Sequence, residues 1–256
     1  MSAEKTIIIK EFLRKECLPA LAARSPYFSL KDVRAYLATH AVKCREELLR
    51  EYLSDAMATG AVYDAGRGWY SRLAEPFKLN TKPVAALARR LEKQFPLLEF
   101  TCWSTEQICG YGHHLLAKFV SFVHTDRDSM ESVFEFLRDA GFDAYLNPRG
   151  QAASQFSTRE RTVVIRPKAT TQPAEGHLVV IEGLLVELFM ECRALPVMDE
   201  GEFFRTFENL AGSRRILLAR LLDYARERRP AGLELEKHIK AEFLEKSALL
   251  GSESTR

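Results

Sequence analysis

The sequence predicts an α/β (α+β) protein in which a small helical domain with one hairpin precedes a mixed-sheet domain and C-terminal helices. The order of the apolar patterns predicts this class: helical patterns and a hairpin pattern fill residues 1–75, and strand and helix patterns interleave over residues 83–229. The length of 256 residues also exceeds what one typical domain needs. Residues 230–256 add an amphipathic helix and a tail.

Composition places the chain among soluble globular proteins. Hydrophobic residues make up 46% and charged residues 28% of the chain, both ordinary fractions. No run of about eighteen apolar residues is present to span a membrane, and the isoleucines at 7–9 are too few for a secretory signal. The five cysteines form no CxxC pair, which is typical of reduced thiols, so we expect a cytoplasmic protein.

One group of residues has the side chains, but not the spacing, of a zinc site. Cys102, Cys109, His113 and His114 follow a C-x6-C-x3-H-H pattern that matches no common zinc finger, and Cys102 lies in an apolar strand pattern. Buried small cysteines and surface imidazoles account for these residues more simply. We therefore expect no metal ion and no cofactor.

Three helical patterns fill the first sixty residues. The first covers residues 4–18, and Pro19 is expected to stop it. The second follows a predicted capping box in which Ser29 is paired with Asp32. The third, KCREELLREYLSDAMATG, has apolar residues at three- and four-residue steps and ends at Gly60, which suits the left-handed position after a helix.

The segment AVYDAGRGWYSRL has the pattern of a β-hairpin, because apolar and polar residues alternate on both sides of the glycine-bearing turn at residues 64–68. Three helices followed by a hairpin are the order of a winged helix-turn-helix. In that domain the third helix enters the DNA major groove, and the hairpin lies along the flanking backbone or minor groove. The sequence therefore predicts a module that binds double-stranded DNA.

The candidate DNA-binding residues are basic or aromatic side chains of this module. They are Lys31, Arg34, Lys43, Arg45, Arg50, Arg67, Trp69 and Arg72. Lys43, Arg45 and Arg50 are expected to meet base edges from the amino half of the third helix, and the other basic residues are expected to contact phosphates. A tryptophan in this position is more often a core anchor than a nucleic-acid contact, and three glutamates in the third helix leave protein docking open as the alternative to DNA binding.

The second domain carries no recognisable catalytic motif. The segments LLEFTCW, AKFVSFVHT, DAYLNP, TVVIRP and HLVVIE are typical of strands. In TVVIRPK, Ile165 stands where a metal-dependent nuclease needs an acid, and Gly212-Ser213 is followed only by Asp223 rather than by the paired carboxylates of a nucleotidyltransferase. No P-loop, G-x-S-x-G or H-E-x-x-H is present. We expect no catalytic residues, with a nuclease-like enzyme targeted by the winged helix as the alternative.

Several segments together resemble the AbiEi-like antitoxins of type IV (AbiE) toxin–antitoxin systems, which are tied to abortive phage infection. These segments are YFSLKDVRAYL, GAVYDAGRGWYS, CWSTEQI, VFEFLRDAGFDAYLNP, VVIRP, GLLVELFMEC and LLDYARERR. The similarity spans most of residues 25–229. Glu187 takes the place of the acidic residue that the family carries after a leucine–valine pair, and the tail after residue 230 has no counterpart.

This resemblance implies a transcriptional repressor whose winged helix binds inverted repeats upstream of its own operon, with two copies meeting on the DNA. It also implies a non-catalytic α/β domain and a partner toxin of the nucleotidyltransferase type, encoded beside the repressor. The basic residues named above stand at the positions of the family's third helix and hairpin. A protein-interaction scaffold without DNA affinity is a further alternative.

Overall fold

The structure of the chain is a computed structural model that describes residues 3–112 and 118–245. It divides into two compact units. Unit 1 comprises the described residues of Met1–Pro76, Ala211–Leu222 and Glu236–Arg256, and unit 2 comprises those of Phe77–Leu210 and Asp223–Leu235. This division differs from the contiguous domains 1–75 and 83–229 expected from the sequence, because residues 211–222 pack with the N-terminal segment.

Unit 1 begins with helices and a small antiparallel sheet. Its first elements are α1 (Ala3–Phe12), a π-helical turn (Leu13–Cys17), α2 (Leu18–Arg24), β1 (Tyr27–Ser29), α3 (Leu30–Thr39), α4 (Glu46–Ala58), β2 (Tyr63–Asp64) and β3 (Trp69–Ser71). The strands are hydrogen-bonded in the order β1-β3-β2, with Tyr70 opposite both Phe28 and Asp64. The hairpin predicted from the sequence is therefore present as β2 and β3.

Unit 2 contains a six-stranded sheet and several helices. Its elements begin with α5 (Lys82–Gln94), β4 (Phe100–Ser104), a 3-10 segment (Thr105–Tyr111), β5 (Val120–Thr125), a 3-10 turn (Arg127–Ser129), α6 (Met130–Asp139), β6 (Asp143–Leu146), α7 (Gln151–Ser154), β7 (Thr162–Pro167), β8 (Ala174–Glu175), β9 (Leu178–Val179) and α8 (Ile181–Ala194). The chain continues through α9 (Glu200–Ser213), α10 (Leu218–Glu227), α11 (Ala231–His238) and a π-helical turn (Ile239–Glu245), and the later boundaries between the units fall within these helices.

The sheet of unit 2 is mixed, which confirms the predicted α/β class. Its strand order is β6-β7-β5-β4-β9-β8, with β6, β7 and β5 parallel and β4 antiparallel to β5. Because side chains alternate between the two faces of a strand, Val123 and Ile165 face the apolar cluster around α5 and α6. Their neighbours His124 and Arg166 face the other side and are buried there. That second face therefore carries polar groups that need partners.

Pro19 does not stop the first helix, so that prediction is wrong. Helical structure continues from α1 through the π-helical turn into α2, where Pro19 lies in the first turn. The first turn of a helix has N–H groups without intrahelical partners, so the missing N–H of proline costs little there. The π turn just before it is closed by the Leu18 N–H on the Leu13 carbonyl and absorbs the change in hydrogen-bond register.

The capping box predicted at the start of α3 is confirmed. The Ser29 hydroxyl accepts a hydrogen bond from the Asp32 N–H at 3.3 Å, and the Asp32 carboxylate accepts one from the Ser29 N–H at 2.6 Å. Both bonds satisfy N–H groups that lack partners at a helix start. Two side chains that are readable in the sequence thus set the beginning of α3.

The tip of the hairpin is held by the segment that returns to unit 1. The Gly66 N–H donates to Asp64 Oδ1 at 3.0 Å, and the Ala219 N–H donates to the Ala65 carbonyl at 3.1 Å. Gly66 has φ +95°, and a methyl group placed on it would lie 2.6 Å from Ala219 Cβ. Gly68 also has a positive φ of +75°, but the space around it is open. Gly66 therefore meets both a backbone requirement and a packing requirement.

Alanine substitutions at Gly66 and Gly68 separate the cost of the left-handed backbone from the cost of the packing clash. Gly68→Ala is expected to lower the free energy of unfolding by about 1 kcal/mol, the cost of a left-handed conformation for alanine. Gly66→Ala adds the clash with Ala219 and is expected to cost about 3 kcal/mol. Urea denaturation followed by circular dichroism measures both values. Equal losses in the two variants would show that Ala219 does not brace the hairpin tip.

Candidate nucleic-acid interface and buried polar network

The DNA-binding residues predicted from the sequence all lie in unit 1. In chain order they are Lys31 and Arg34 on α3, Lys43 and Arg45 before α4, Arg50 on α4, Arg67 at the hairpin tip, Trp69 in β3 and Arg72 after β3. Each of the basic side chains is exposed, whereas Trp69 is partly buried. The basic residues are therefore open to solvent on two helices, their connection and the hairpin.

Lys43 and Arg45 do not lie inside the third helix, so the predicted start of that helix is wrong. α4 begins at Glu46, and Arg45 is its N-cap with an extended backbone (φ −71°, ψ 146°). The chain turns sharply before this point, where Ala41 has φ +56°. Lys43 and Arg45 consequently stand beside the amino end of α4, where the positive end of the helix dipole adds to their charge.

One carboxylate joins two of the predicted residues. Glu46 Oε2 lies 2.9 Å from Arg34 Nη1, and Glu46 Oε1 lies 2.8 Å from Arg50 Nη2. The hydrogen bond from Arg50, together with the charge of Arg34, lowers the pKa of Glu46. Because all three side chains are exposed, these ion pairs add little to stability. They do hold two guanidinium groups in place between α3 and α4.

The remaining basic residues have no acidic partner in the part of the chain that the structure describes. Within residues 3–112 and 118–245, no carboxylate forms an ion pair with Lys31, Lys43, Arg45, Arg67 or Arg72. Their charges are therefore not neutralised by direct contact. An unpaired surface cation is free to exchange its counterion for a phosphate group.

The predicted DNA-binding residues form two groups, one defined by a backbone hydrogen bond and the other by a shared groove. The Leu30 N–H donates to the Gly68 carbonyl at 2.9 Å, so the neighbouring Lys31 and Arg67 belong to adjoining chain segments. A groove of about 590 Å³ separates α3 from the turn that precedes α4. Its lining includes Arg34, Lys43 and Arg45.

The exposed face of α4 is acidic from its first turn onward. Glu47, Glu51 and Asp55 are exposed there, and Asp55 pairs with Lys10 at 2.5 Å. Carboxylates repel the phosphates of a nucleic acid. The unpaired basic side chains therefore lie on α3, in the segment before α4 and at the hairpin, and not on the exposed face of α4 itself.

The two aromatic residues of the hairpin differ in burial. Tyr70 is buried and stacks on Phe28, with the ring centroids 6.0 Å apart, and burial raises the pKa of its hydroxyl. Trp69 is partly buried and lies opposite Ser29 in the sheet. Tyr70 therefore belongs to the core of unit 1, whereas Trp69 keeps part of its ring available for contact.

Unit 2 holds a buried polar network that sequence reasoning missed. α8 is buried along most of its length, yet it carries Glu187 and Glu191 one turn apart. Arg166 of β7 donates from Nε and Nη2 to Glu191 at 2.8 and 2.6 Å, a bidentate pair. Its Nη1 donates to Asn147 Oδ1 and to the Pro148 carbonyl at 3.1 and 2.9 Å. Burial raises the pKa of Glu191, although Arg166 opposes that shift.

Glu187 is fully buried and has a different set of partners. Arg228 Nη2 donates to Glu187 Oε2 at 2.9 Å, and the Tyr224 hydroxyl donates to Glu187 Oε1. Burial opposes ionisation of Glu187, but the electrostatic interaction with His124, the charge of Arg228 and the hydrogen bond from Tyr224 together lower its pKa. Glu187 therefore keeps its negative charge inside unit 2.

His124 is a neutral member of this network. The Trp103 Nε1–H donates to His124 Nε2 at 3.2 Å, so this ring nitrogen is an acceptor and the proton resides on Nδ1. Burial lowers the pKa of His124 to about 4, and the charges of Arg228 and Arg166 act in the same direction. Glu187 Oε2 lies 4.0 Å from Nε2, which is too far to offset the loss of hydration. The contact is therefore not an ion pair at neutral pH.

Two signals in the sequence do point to this network. Glu187 and Glu191 lie four residues apart in an otherwise apolar segment, GLLVELFMEC, and Arg166 ends the apolar strand VVIRP. A charge inside an apolar element must be paired, so these residues predict that partners exist. The identity of each partner depends on the order of the strands, which the chain alone does not reveal.

No group of three or more histidine, cysteine or acidic side chains among the described residues is arranged to hold a metal ion. Of the residues weighed for zinc, Cys102 is buried in β4, and burial raises the pKa of its thiol to about 12. Cys109 is partly buried in the 3-10 segment, and His113 and His114 lie outside the described residues. In the described ranges, no helix has the length and apolar character needed to cross a membrane.

Comparison with known proteins places most of the chain in a family. A family model described as "Family of unknown function (DUF6577)" matches residues 48–245, which is more than half of the chain. The matched residues begin within α4 and include the hairpin, the six-stranded sheet and α8. A comparison with curated proteins finds no match.

The lowered pKa of His124 predicts acid sensitivity. The unfolded chain takes up the proton near pH 6.5 and the folded chain near pH 4, so stability is retained above pH 6.5 and falls as pH decreases toward 4. His124→Gln keeps an acceptor for Trp103 and removes this titration. Between pH 7 and pH 5, the wild type is expected to lose about 2 kcal/mol more unfolding free energy than the variant.

Urea denaturation at both pH values measures this difference. Glu191, Arg166 and Arg228 are present in both proteins, so their contributions largely cancel in the comparison. An identical pH dependence in the wild type and His124→Gln would show that His124 titrates normally.

Proposed function

We propose that this chain, which belongs to the DUF6577 family, is a cytoplasmic transcriptional repressor that binds double-stranded DNA through a winged helix-turn-helix in unit 1. The order helix, strand, helix, helix and hairpin supports a winged helix. The sheet order β1-β3-β2 supports it too, because the strand before α3 closes one side of the hairpin.

The observation that carries the proposal is the pair of unpaired cations at the amino end of α4, together with a second unpaired pair on α3 and the hairpin. Lys43 and Arg45 stand beside that helix end, and both have no acidic partner within the described residues. The hydrogen bond between Leu30 and Gly68 places Lys31 and Arg67 on adjoining segments. Such a surface attracts phosphates through side-chain charge and through the helix dipole.

The geometry supports a division of roles among these residues. Lys43 and Arg45 approach the major groove first, because they precede the first turn of α4. Lys31, Arg67 and Arg72 contact phosphates and fix the register of the protein on the duplex. The acidic face of α4 keeps the rest of that helix away from the backbone. Recognition thus relies on the helix end rather than on the whole helix.

Glu46 adjusts the charge of this surface. Its carboxylate pairs with both Arg34 and Arg50 in the free protein and offsets one of their two positive charges. Because these ion pairs are exposed and weak, a phosphate competes with Glu46 for either guanidinium group. Glu46 therefore lowers affinity for DNA of any sequence, which favours sites that also supply base contacts.

The antitoxin role in this proposal rests on the resemblance to the AbiEi-like family. A repressor on inverted repeats requires two copies of the chain on one operator. The partner is a nucleotidyltransferase-like toxin encoded beside it. This chain could neutralise the toxin by binding it or by regulating its expression, and neither route requires a catalytic residue in this chain.

DNA binding is tested with a labelled duplex from immediately upstream of the gene, measured by fluorescence anisotropy over a range of salt concentrations. Lys43→Ala combined with Arg45→Ala is expected to weaken binding at least tenfold and to reduce the slope of log K against log[salt] by about two. Arg14→Ala combined with Lys15→Ala removes the same charge from an exposed helical segment of unit 1 and serves as the matched control. Salt-insensitive binding, or equal losses in both double variants, would contradict the proposal.

Neutralising Glu46 is expected to strengthen DNA binding. Glu46→Gln releases Arg34 and Arg50 and removes one negative charge, so we expect about fivefold tighter binding at low salt and a steeper salt dependence. Glu11→Gln is the control, because Glu11 also forms an exposed i,i+4 pair, with Lys15, but lies on the first helix. Unchanged affinity of Glu46→Gln would place the DNA elsewhere on the protein.

A further inference from the structure

A second basic site lies in unit 2 and is formed by other residues than those proposed to bind DNA. It is a cavity of about 520 Å³ beside the carboxyl ends of the parallel strands β5, β6 and β7. His124 of β5, Arg149 after β6 and Arg166 of β7 contribute to its wall, and α8 contributes Glu191. Ligands of α/β proteins bind preferentially at this end of parallel strands, because the connecting loops diverge there.

The cavity is lined by far more basic than acidic side chains. Its basic residues are Arg127, Arg149, Arg166, Lys168, Arg193 and Arg228. Glu191 is its acidic residue, and His124 is neutral because its pKa is lowered to about 4. Apolar groups complete the lining, including Pro148, Ala153 and Met190. The chemistry of the walls therefore favours an anion that also carries an uncharged part.

The basic residues of the cavity divide into fixed and free groups. Arg166 and Arg228 are held by the buried carboxylates Glu191 and Glu187. Lys168 and Arg193 are paired with exposed acids, Lys168 with Glu99 at 2.8 Å and Arg193 with Glu200 and Glu234. Arg127 and Arg149 are exposed and have no ion pair with any described acidic residue. Their positive charges are thus available to a ligand.

A hydrogen bond to Asn147 positions the side chain of Arg149 in the cavity. Asn147 Oδ1 accepts hydrogen bonds from Arg166 Nη1 at 3.1 Å and from Arg149 Nε at 3.4 Å. The terminal nitrogens of Arg149 remain without a described partner. One amide therefore links a fixed guanidinium to a free one, and the free group keeps its two terminal nitrogens for an anion.

Arg228 also retains unused bonding capacity. Its Nε–H is buried and has no acceptor among the described residues. Buried donors of native proteins are almost always satisfied, so an orphan donor on a side chain that lines a cavity indicates a missing acceptor. An anionic ligand or an ordered water supplies one.

We propose that this cavity binds a small ligand through its phosphate groups. Guanidinium groups recognise phosphate bidentately, and the volume lies in the range of pockets that hold small organic ligands. Recognition here comes from side chains, with Arg127 and Arg149 supplying the free charge. The apolar part of the lining accommodates the remainder of a nucleotide or of another phosphorylated molecule. The inference is independent of the proposed DNA binding.

Isothermal titration calorimetry of the full chain with sodium pyrophosphate, ATP and adenosine tests the proposal. Pyrophosphate and ATP are expected to bind, and adenosine is not. Tighter binding of ATP than of pyrophosphate identifies a nucleotide as the source of the phosphates, and equal binding identifies the phosphate groups alone. Binding of adenosine as tight as that of ATP, or of neither phosphate probe, overturns the proposal.

Variants locate the binding in unit 2. Arg127→Ala combined with Arg149→Ala is expected to weaken pyrophosphate binding at least tenfold. Arg89→Ala combined with Lys93→Ala removes the same charge from the exposed face of α5 and is expected to change binding less than twofold. Equal losses in these two double variants, or binding of oligonucleotides without binding of pyrophosphate, would overturn the proposal.

Two further measurements distinguish a loss of pyrophosphate binding from a loss of folding and from a loss of DNA binding. Pyrophosphate is expected to raise the melting temperature of the wild type and not that of the Arg127→Ala, Arg149→Ala variant, since ligand binding stabilises only the state that binds. The variant with Lys43→Ala and Arg45→Ala is expected to bind pyrophosphate as the wild type does. Loss of pyrophosphate binding in that variant would move the site to unit 1 and overturn the assignment.

Discussion

The pairing of two carboxylates inside an apolar helix is the constraint on which unit 2 depends. α8 is buried along most of its length, so Glu187 and Glu191 need partners from the surrounding elements. Arg166 of β7 and Arg228 after α10 supply the opposite charges. Loss of one partner from such a buried pair typically costs about 3–5 kcal/mol, because the other charge remains buried and alone. The sheet, α8 and the chain after α10 are therefore held in one arrangement.

Ion pairs between carboxylates and arginines have different consequences when they are buried and when they are exposed. In unit 2, buried pairing makes Arg166 a fixed part of the cavity wall, since all of its nitrogens donate to Glu191, Asn147 or Pro148. In unit 1, Glu46 pairs with two exposed arginines, and water and salt weaken those contacts. Burial thus produces rigidity, while exposure leaves a surface whose charge responds to its surroundings.

Much of the fold was predictable because its signals are local. The Ser29–Asp32 capping box, the hairpin and the strands around Ile165 each depend on neighbouring residues, and the structure contains all of them. The helix stop predicted at Pro19 does not occur, because a π turn precedes that residue. The helix α4 begins later than predicted, because Lys43 and Arg45 are compatible with helix in sequence but lie before it. The Glu46 pairs, the buried network and the return of residues 211–222 involve partners distant along the chain, which no local pattern specifies.

Residues 211–222, which return to unit 1, determine which fragment of the chain would contain the whole of that unit. The buried Tyr27 donates its hydroxyl proton to the Arg214 carbonyl at 3.1 Å and accepts from the Ile216 N–H at 3.0 Å. Ala219 braces the hairpin from the same segment. A fragment cut after residue 76 would lack these contacts and expose the ring of Tyr27. A recombination event that transfers only the N-terminal segment would therefore not transfer a complete unit 1. The missing part of the unit lies more than 130 residues downstream in the sequence.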